Sequence, residues 1–225
     1  MNKTTPKLLY KLLINSGLLN QNGNVSFKLG ELEVVLNTKD IVGISLQQWL
    51  KEFMKQNDIF YKEPLNTQAF PDFYLENSFE TSLLEVKTFN SEFLPAFDIA
   101  NFDSYCSSLK TKPYILYADY LIFGYKMDHS GKIQITNIWL KKIWKIAGKS
   151  TTYPLKLQVK RNIVYNIRPI AWYKDKQKNS FISEIEFINA LYSTICKYKN
   201  SLIANEWKTE FLFNYHNHFN KSFFN

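Results

Sequence analysis

Phe70-Pro71-Asp72-Phe73-Tyr74-Leu75-Glu76-Asn77-Ser78-Phe79-Glu80-Thr81-Ser82-Leu83-Leu84-Glu85-Val86-Lys87-Thr88-Phe89 reads as two strand-forming runs about a polar turn at Glu76-Asn77-Ser78. Alternate side chains of a strand share a face, so Glu85 and Lys87 point one way while Leu84 and Val86 point into a core. Pairing of the two runs as a hairpin lets Asp72 and Glu85 converge on one divalent cation. The cation that suits a pair of hard oxygen ligands is Mg²⁺. Lys87 stands beside it, placed to orient a water or to offset charge on a phosphate, and this combination suits phosphodiester hydrolysis. The same acidic-x-Lys spacing recurs at Glu206-Trp207-Lys208, in a helix-like stretch with no Pro-Asp before it, and there it reads as a solvated helix face.

Working outward, Gly43-Ile44-Ser45 opens a helix with Ser45 as N-cap and with Leu46, Trp49, Leu50 and Phe53 on one face. Glu52 lies on that helix, either as a further acidic member of the site or as an exposed carboxylate paired with Lys51 or Lys55. Upstream, residues 6–17 form a helix opened by Pro6 and closed by Gly17, and two short strands, 25–29 and 32–36, meet at Gly30. Downstream, Asp98, Asn101 and Ser104 share a helical face opposite Ile99, Phe102 and Cys106. Residues 114–126 form a continuous apolar run of central-strand character, and Asp128-His129-Ser130-Gly131 turns it into a hairpin partner at 132–139. Residues 139–147 read as a short basic helix, 155–159 and 163–167 as strands, and 183–217 as two helices broken near Asn200.

Composition bounds the rest. A chain of 225 residues, 45% hydrophobic and 16% aromatic, is too apolar for disorder and long enough for one large domain. No apolar run approaches a membrane span, and Cys106 and Cys196 stand far apart without metal spacing. His216 and His218 lack further ligands nearby. The expectation is a soluble cytoplasmic protein of α/β (α+β) class, a mixed central β-sheet flanked by helices. Residues 1–225 would form a single domain with its catalytic core at about 45–126.

The net charge of +8 is concentrated in one segment. Residues 141–178 hold eleven Lys or Arg and one acid, Asp175, whereas residues 1–140 hold thirteen bases against fifteen acids. Such a segment, about 139–178, is the footprint of a polyanion-binding face. The chain's two arginines, Arg161 and Arg168, both fall in it. An arginine fork grips guanine in two bonds where lysine offers one point charge. Arg161 and Arg168, joined by Gln158, Lys160 and Asn166, are the base-reading candidates; Lys142 and Lys156 join them as DNA contacts. The competing reading of Arg168 is a strand-end cap or a partner for a nearby acid.

Pro71-Asp72-x12-Glu85-Val86-Lys87 resembles the PD-(D/E)xK signature of type II restriction endonucleases. Longer strings, residues 84–90, 97–105, 118–125 and 165–169, are similar to the NgoBV/NlaIV group. That resemblance implies a restriction-endonuclease-like core, with Asp72 and Glu85 as Mg²⁺ ligands, the Val86 carbonyl as a further ligand, and Lys87 as the catalytic lysine. It also implies a homodimer, a short palindrome such as GGNNCC in double-stranded DNA, and a companion DNA methyltransferase. Two other functions share these residues: a structure-specific or repair nuclease, and a non-catalytic DNA-binding regulator. Whether Asp98 joins the site stays open at this level.

Overall fold

In a computed structural model the described residues are 2–66, 69–174 and 179–224. The chain divides into two compact units that interleave in sequence: Met1–Pro95 with Asp119–Lys141, and Ala96–Ala118 with Lys142–Asn225.

The first unit is built on a five-stranded sheet. Its strands are β1 (Asn22–Asn24), β4 (Phe73–Tyr74), β5 (Leu83–Asn90), β7 (Asp119–Met127) and β8 (Lys132–Lys142), in the order β1-β8-β7-β5-β4. β5 and β7 run parallel in an unbroken register from Leu84↔Asp119 to Asn90↔Tyr125, whereas β4 pairs antiparallel with β5. The sheet is therefore mixed. Helices α1 (Pro6–Asn15) and α2 (Lys39–Gln56) cover one face of it. Leu9, Leu13, Val42, Leu50 and Met54 pack there against Leu84, Val86, Leu121, Phe123 and Ile135. A separate hairpin, β2 (Ser26–Leu29) and β3 (Leu32–Val35), leaves between the two helices.

Several boundaries differ from expectation. α2 begins at Lys39 rather than at Ser45 and runs through Gly43. A Cβ on Gly43 would sit 3.1 Å from Thr88 Oγ1, so the glycine admits close packing of α2 on β5, a gain that offsets its low helix propensity. The face of β5 that carries Glu85 is not open to solvent: Glu85 is only 8% exposed. The apolar run at 114–126 splits into a 3₁₀ turn, Pro113–Tyr117, followed by β7, because Pro113 presets a turn. Residues 139–142 extend β8, and only Ile143–Ile146 (α4) are helical, since alternating Ile138 and Leu140 keep the strand in register with the core.

The second unit holds a small sheet, β6 (Ala100–Asn101), β9 (Leu157–Lys160) and β10 (Ile163–Ile167) in the order β6-β10-β9, with three longer helices, α3 (Phe102–Thr111), α5 (Glu184–Tyr198) and α6 (Ser201–Phe219). Asp98 and Asn101 do not share a helix with Ser104. Asn101 is instead the N-cap of α3, its side chain accepting from the Ser104 amide at 3.0 Å. Trp207, Phe211 and Tyr215, four residues apart on α6, form a buried aromatic stripe, and Trp207 Nε1 donates to the Cys106 carbonyl at 2.8 Å. Cys106 and Cys196 are both free. Among the described residues no helix is long and apolar enough to cross a membrane.

Candidate active site

The site begins with the β4–β5 register. Phe73 faces Leu84, so the next position outward sets Asp72 opposite Glu85, and Pro71, with no N–H, ends the ladder. Side chains then take over the pairing. The Asp72 amide donates to Glu85 Oε2 at 3.2 Å, and the Val86 amide donates to Asp72 Oδ2 at 2.7 Å. Lys87, two residues along the same face of β5, places Nζ 2.8 Å from Glu85 Oε1. Asp72, Glu85, the Val86 backbone and Lys87 thus stand together at one edge of the sheet.

Gln47 completes this cluster, and sequence reasoning missed it. It lies one turn beyond Gly43 on α2 and donates Nε2 to Asp72 Oδ1 at 2.7 Å. A glutamine at i+4 from a helical glycine carries no motif. The glycine inside a helix, which marks a close approach, was the available signal. Glu52 does not join the cluster: it is exposed and pairs with Lys55 at 2.6 Å.

Burial pushes the Glu85 carboxyl up to about 7. The Asp72 charge adds to this rise, and the Lys87 ammonium opposes it. Asp72 is raised too, by burial, against the Val86 amide, Lys87, Gln47 and Lys51. Two adjacent carboxylates in a desolvated corner with one ammonium at hand carry excess negative charge that a divalent cation would neutralise. Among the described residues no cluster of three or more His, Cys, Asp or Glu could hold a metal. Two carboxylates with a backbone carbonyl would suit a hard ion that keeps several waters, as Mg²⁺ does.

The second unit carries the basic residues. β9 and β10 form a hairpin in which Lys160 pairs with Ile163, leaving Arg161-Asn162 as a two-residue loop. Both loop residues have positive φ, 51° and 64°, the conformation of a type I′ turn, in which asparagine or glycine is favoured and arginine is not. Arg161 is exposed at this tip. Lys160 lies over the Tyr165 ring, and Asn166 donates to Gln158 Oε1 at 2.9 Å. Three candidates are engaged by the fold itself. Arg168 donates to Asp98, the acid partner that was its competing reading. Lys156 donates to the Pro169 carbonyl at 2.8 Å and Lys142 to that of Tyr117 at 2.5 Å. Residues 175–178 of the basic segment lie outside the described residues.

Comparison with known proteins adds independent observations. A family model described as NgoBV restriction endonuclease matches residues 3–225. The chain belongs to this family. Type II restriction enzyme NlaIV of Neisseria lactamica is 38% identical over 225 residues, covering 97% of this chain and 92% of that protein. Type II restriction enzyme NgoBV of Neisseria gonorrhoeae is 34% identical over 159 residues, 70% of this chain and 90% of its own length. The solved NlaIV restriction endonuclease superposes with a TM-score of 0.92 at 37% identity, covering 99% of this chain and 92% of that one. The mixed α/β core, a central sheet flanked by helices, is thus of restriction-endonuclease type, and the family carries the PD-(D/E)xK signature read here at Asp72, Glu85 and Lys87.

Proposed function

We propose that the chain is a type II restriction endonuclease that hydrolyses phosphodiester bonds in double-stranded DNA with Mg²⁺. The observation that carries this reading is the pair of desolvated carboxylates, Asp72 and Glu85, tied across β4–β5 with the Lys87 ammonium at 2.8 Å. Family membership and the names of the two Neisseria relatives support it.

In this reading Asp72, Glu85 and the Val86 carbonyl would hold the cation, which would supply Lewis acidity toward the scissile phosphate when bound. Lys87 orients the attacking water and donates to a non-bridging phosphoryl oxygen. Water attacks phosphorus and gives up a proton to solvent, the P–O bond to one deoxyribose breaks, and the leaving oxygen takes up a proton from solvent. Gln47 holds Asp72 in the orientation the site needs. The two units serve one endonuclease domain over residues 1–225, the second contributing DNA contacts. Arg161, whose guanidinium sits on an exposed hairpin tip, is the base reader, with Lys160, Gln158 and Asn166 behind it. Lys142, Lys156 and Arg168, held by the Tyr117 and Pro169 carbonyls and by Asp98, add further DNA contacts. The target is a short palindrome, GGNNCC being the candidate, cut by a homodimer encoded beside a DNA methyltransferase.

Incubation with bacteriophage DNA, with and without Mg²⁺, tests the reading on a gel. Discrete Mg²⁺-dependent bands are expected, and their ends define the sequence. A smear would make the chain a less specific nuclease, and retardation without cutting would make it a DNA-binding protein.

A further inference from the structure

Lys51 lies one turn beyond Gln47 on α2, and residues four apart share a helix face. From that face Gln47 reaches Asp72, donating Nε2 to Oδ1 at 2.7 Å. The Lys51 ammonium stands 2.5 Å from Glu63 Oε1, and its side chain is only 19% exposed. Its charge is felt at Asp72, where it favours the ionised carboxylate.

Glu63 is brought there by the segment that flanks β4. Lys62 and Tyr74 exchange both backbone hydrogen bonds at 2.9 Å, forming an antiparallel bridge on the side of β4 away from β5. The chain beyond Lys62 therefore runs back alongside Phe73 toward Asp72, and Glu63 is its first residue. The pair Lys51–Glu63 thus borders the Asp72–Glu85–Lys87 cluster, within the same unit, and takes no part in the ties that hold that cluster together.

We infer that Lys51 is a clamp for the DNA backbone: Glu63 holds its ammonium in the free chain, and a phosphate beside the scissile one takes the place of Glu63 in the complex. The inference rests on the endonuclease reading and adds a second cation to that site. Lysine offers a compact charge with three donors, which suits a phosphate oxygen approached from any side. A turn of helix is about 5.4 Å, which sets Lys51 beyond the group that meets Asp72 and leaves the scissile phosphate to Lys87. The exchange costs little, because a pair with water on one side contributes on the order of 1 kcal/mol or less. Glu63, 40% exposed, regains water when it lets go. Until then it masks the lysine, and its negative charge opposes the incoming strand.

Binding of the full chain to a short duplex, followed by fluorescence anisotropy across a range of salt concentrations with Ca²⁺ in place of Mg²⁺, counts the phosphates engaged. Lys51→Met is expected to bind more weakly, with the slope of log affinity against log salt smaller by about 1. Glu63→Gln is expected to bind more tightly than wild type. The double variant Lys51→Met/Glu63→Gln is expected to match Lys51→Met, because Glu63 acts on DNA chiefly through the lysine it masks. Should Lys51→Met unfold, Lys51→Gln measured in the same way takes its place. An unchanged slope in the lysine variant overturns the inference. So does a Glu63→Gln variant that binds no more tightly than wild type, and so do equal losses of melting temperature in both single variants with wild-type slopes, which would make the pair a structural tie. Slopes that shift as expected in a chain that cuts no DNA with Mg²⁺ sustain the clamp and defeat only the endonuclease reading.

Discussion

Glu85 accepts a hydrogen bond from the amide of Asp72, the residue that faces it across the β4–β5 pair, at 3.2 Å. The pairing that ends at Pro71 is thus continued by side chains, and each carboxylate is fixed by the backbone of the other's strand. Replacing either acid with alanine removes one of these ties as well as a proposed metal ligand. Asp72→Ala and Glu85→Ala are each expected to abolish Mg²⁺-dependent cleavage while leaving DNA retardation on a gel measurable. Full cutting by either variant would remove both residues from the chemistry.

The buried Glu85 carboxyl sets a pH dependence. Its ordinary value is 4.5, and in the folded chain it is pushed up to about 7, burial being the largest cause. Between those values the folded state keeps a proton that the unfolded state has released. The protonated carboxyl's contribution to stability is therefore complete below pH 4.5 and is lost as pH rises through 7, a change on the order of 3 kcal/mol. Without metal, Glu85→Gln should be stabilised relative to wild type at pH 8 and gain little at pH 4.5. Urea melts in EDTA at both values check this. Because a cation requires the ionised carboxylates, cleavage should rise across the same interval.

Gln47 hydrogen-bonds the Asp72 carboxylate, so it acts as a positioning residue. A hydrogen bond to a charged group is worth roughly 1.5–3 kcal/mol, and Gln47→Ala should slow single-turnover cleavage by about 10- to 100-fold. DNA affinity should not change, and raising Mg²⁺ should recover part of the rate. Loss of binding in parallel with rate would instead mark a structural defect.

Gly43 lies where α2 meets β5, and a Cβ added there would stand only 3.1 Å from Thr88 Oγ1. Gly43→Val should overpack this contact and destabilise the fold by about 1–3 kcal/mol. Gln47, one turn away, moves with the helix. Cleavage should fall more than the melting temperature predicts, and comparing the two readouts tests the coupling.

Arg161 occupies a left-handed position that arginine adopts at a cost. Arg161→Asn should therefore raise stability by several tenths of a kcal/mol to about 1 kcal/mol. The same change should relax or abolish site recognition. A variant both more stable and equally specific would take Arg161 out of base reading.

Much of this was legible in the sequence because it is local. Asp72, Glu85 and Lys87 follow from a hairpin and a period of two, and Asn200 stops one helix and caps the next. What escaped depends on distant packing. Gly43 looked like a helix opener because the strand that rewards its small size lies some 45 residues further on. Lys142 and Lys156 looked like surface charge, yet carbonyls brought in by the fold bind them. For Arg168 the sequence left base reading and an acid partner both open, and the structure supplies the acid, Asp98, while it places Arg161 at a hairpin tip.

The parallel register of β5 on β7 has a bearing on how the chain is made. β4 and β5 are close neighbours in sequence and can meet early, whereas β7 begins 29 residues after β5 ends, beyond a segment that belongs to the other unit. During synthesis Asp72 and Glu85 therefore come together on a wet, open strand edge. The desolvation that raises Glu85 arrives only when residues 119–127 have emerged and closed the sheet. A nascent chain stalled before that point would hold both carboxylates in their ordinary, fully ionised state, with the site assembled in outline but not yet dry.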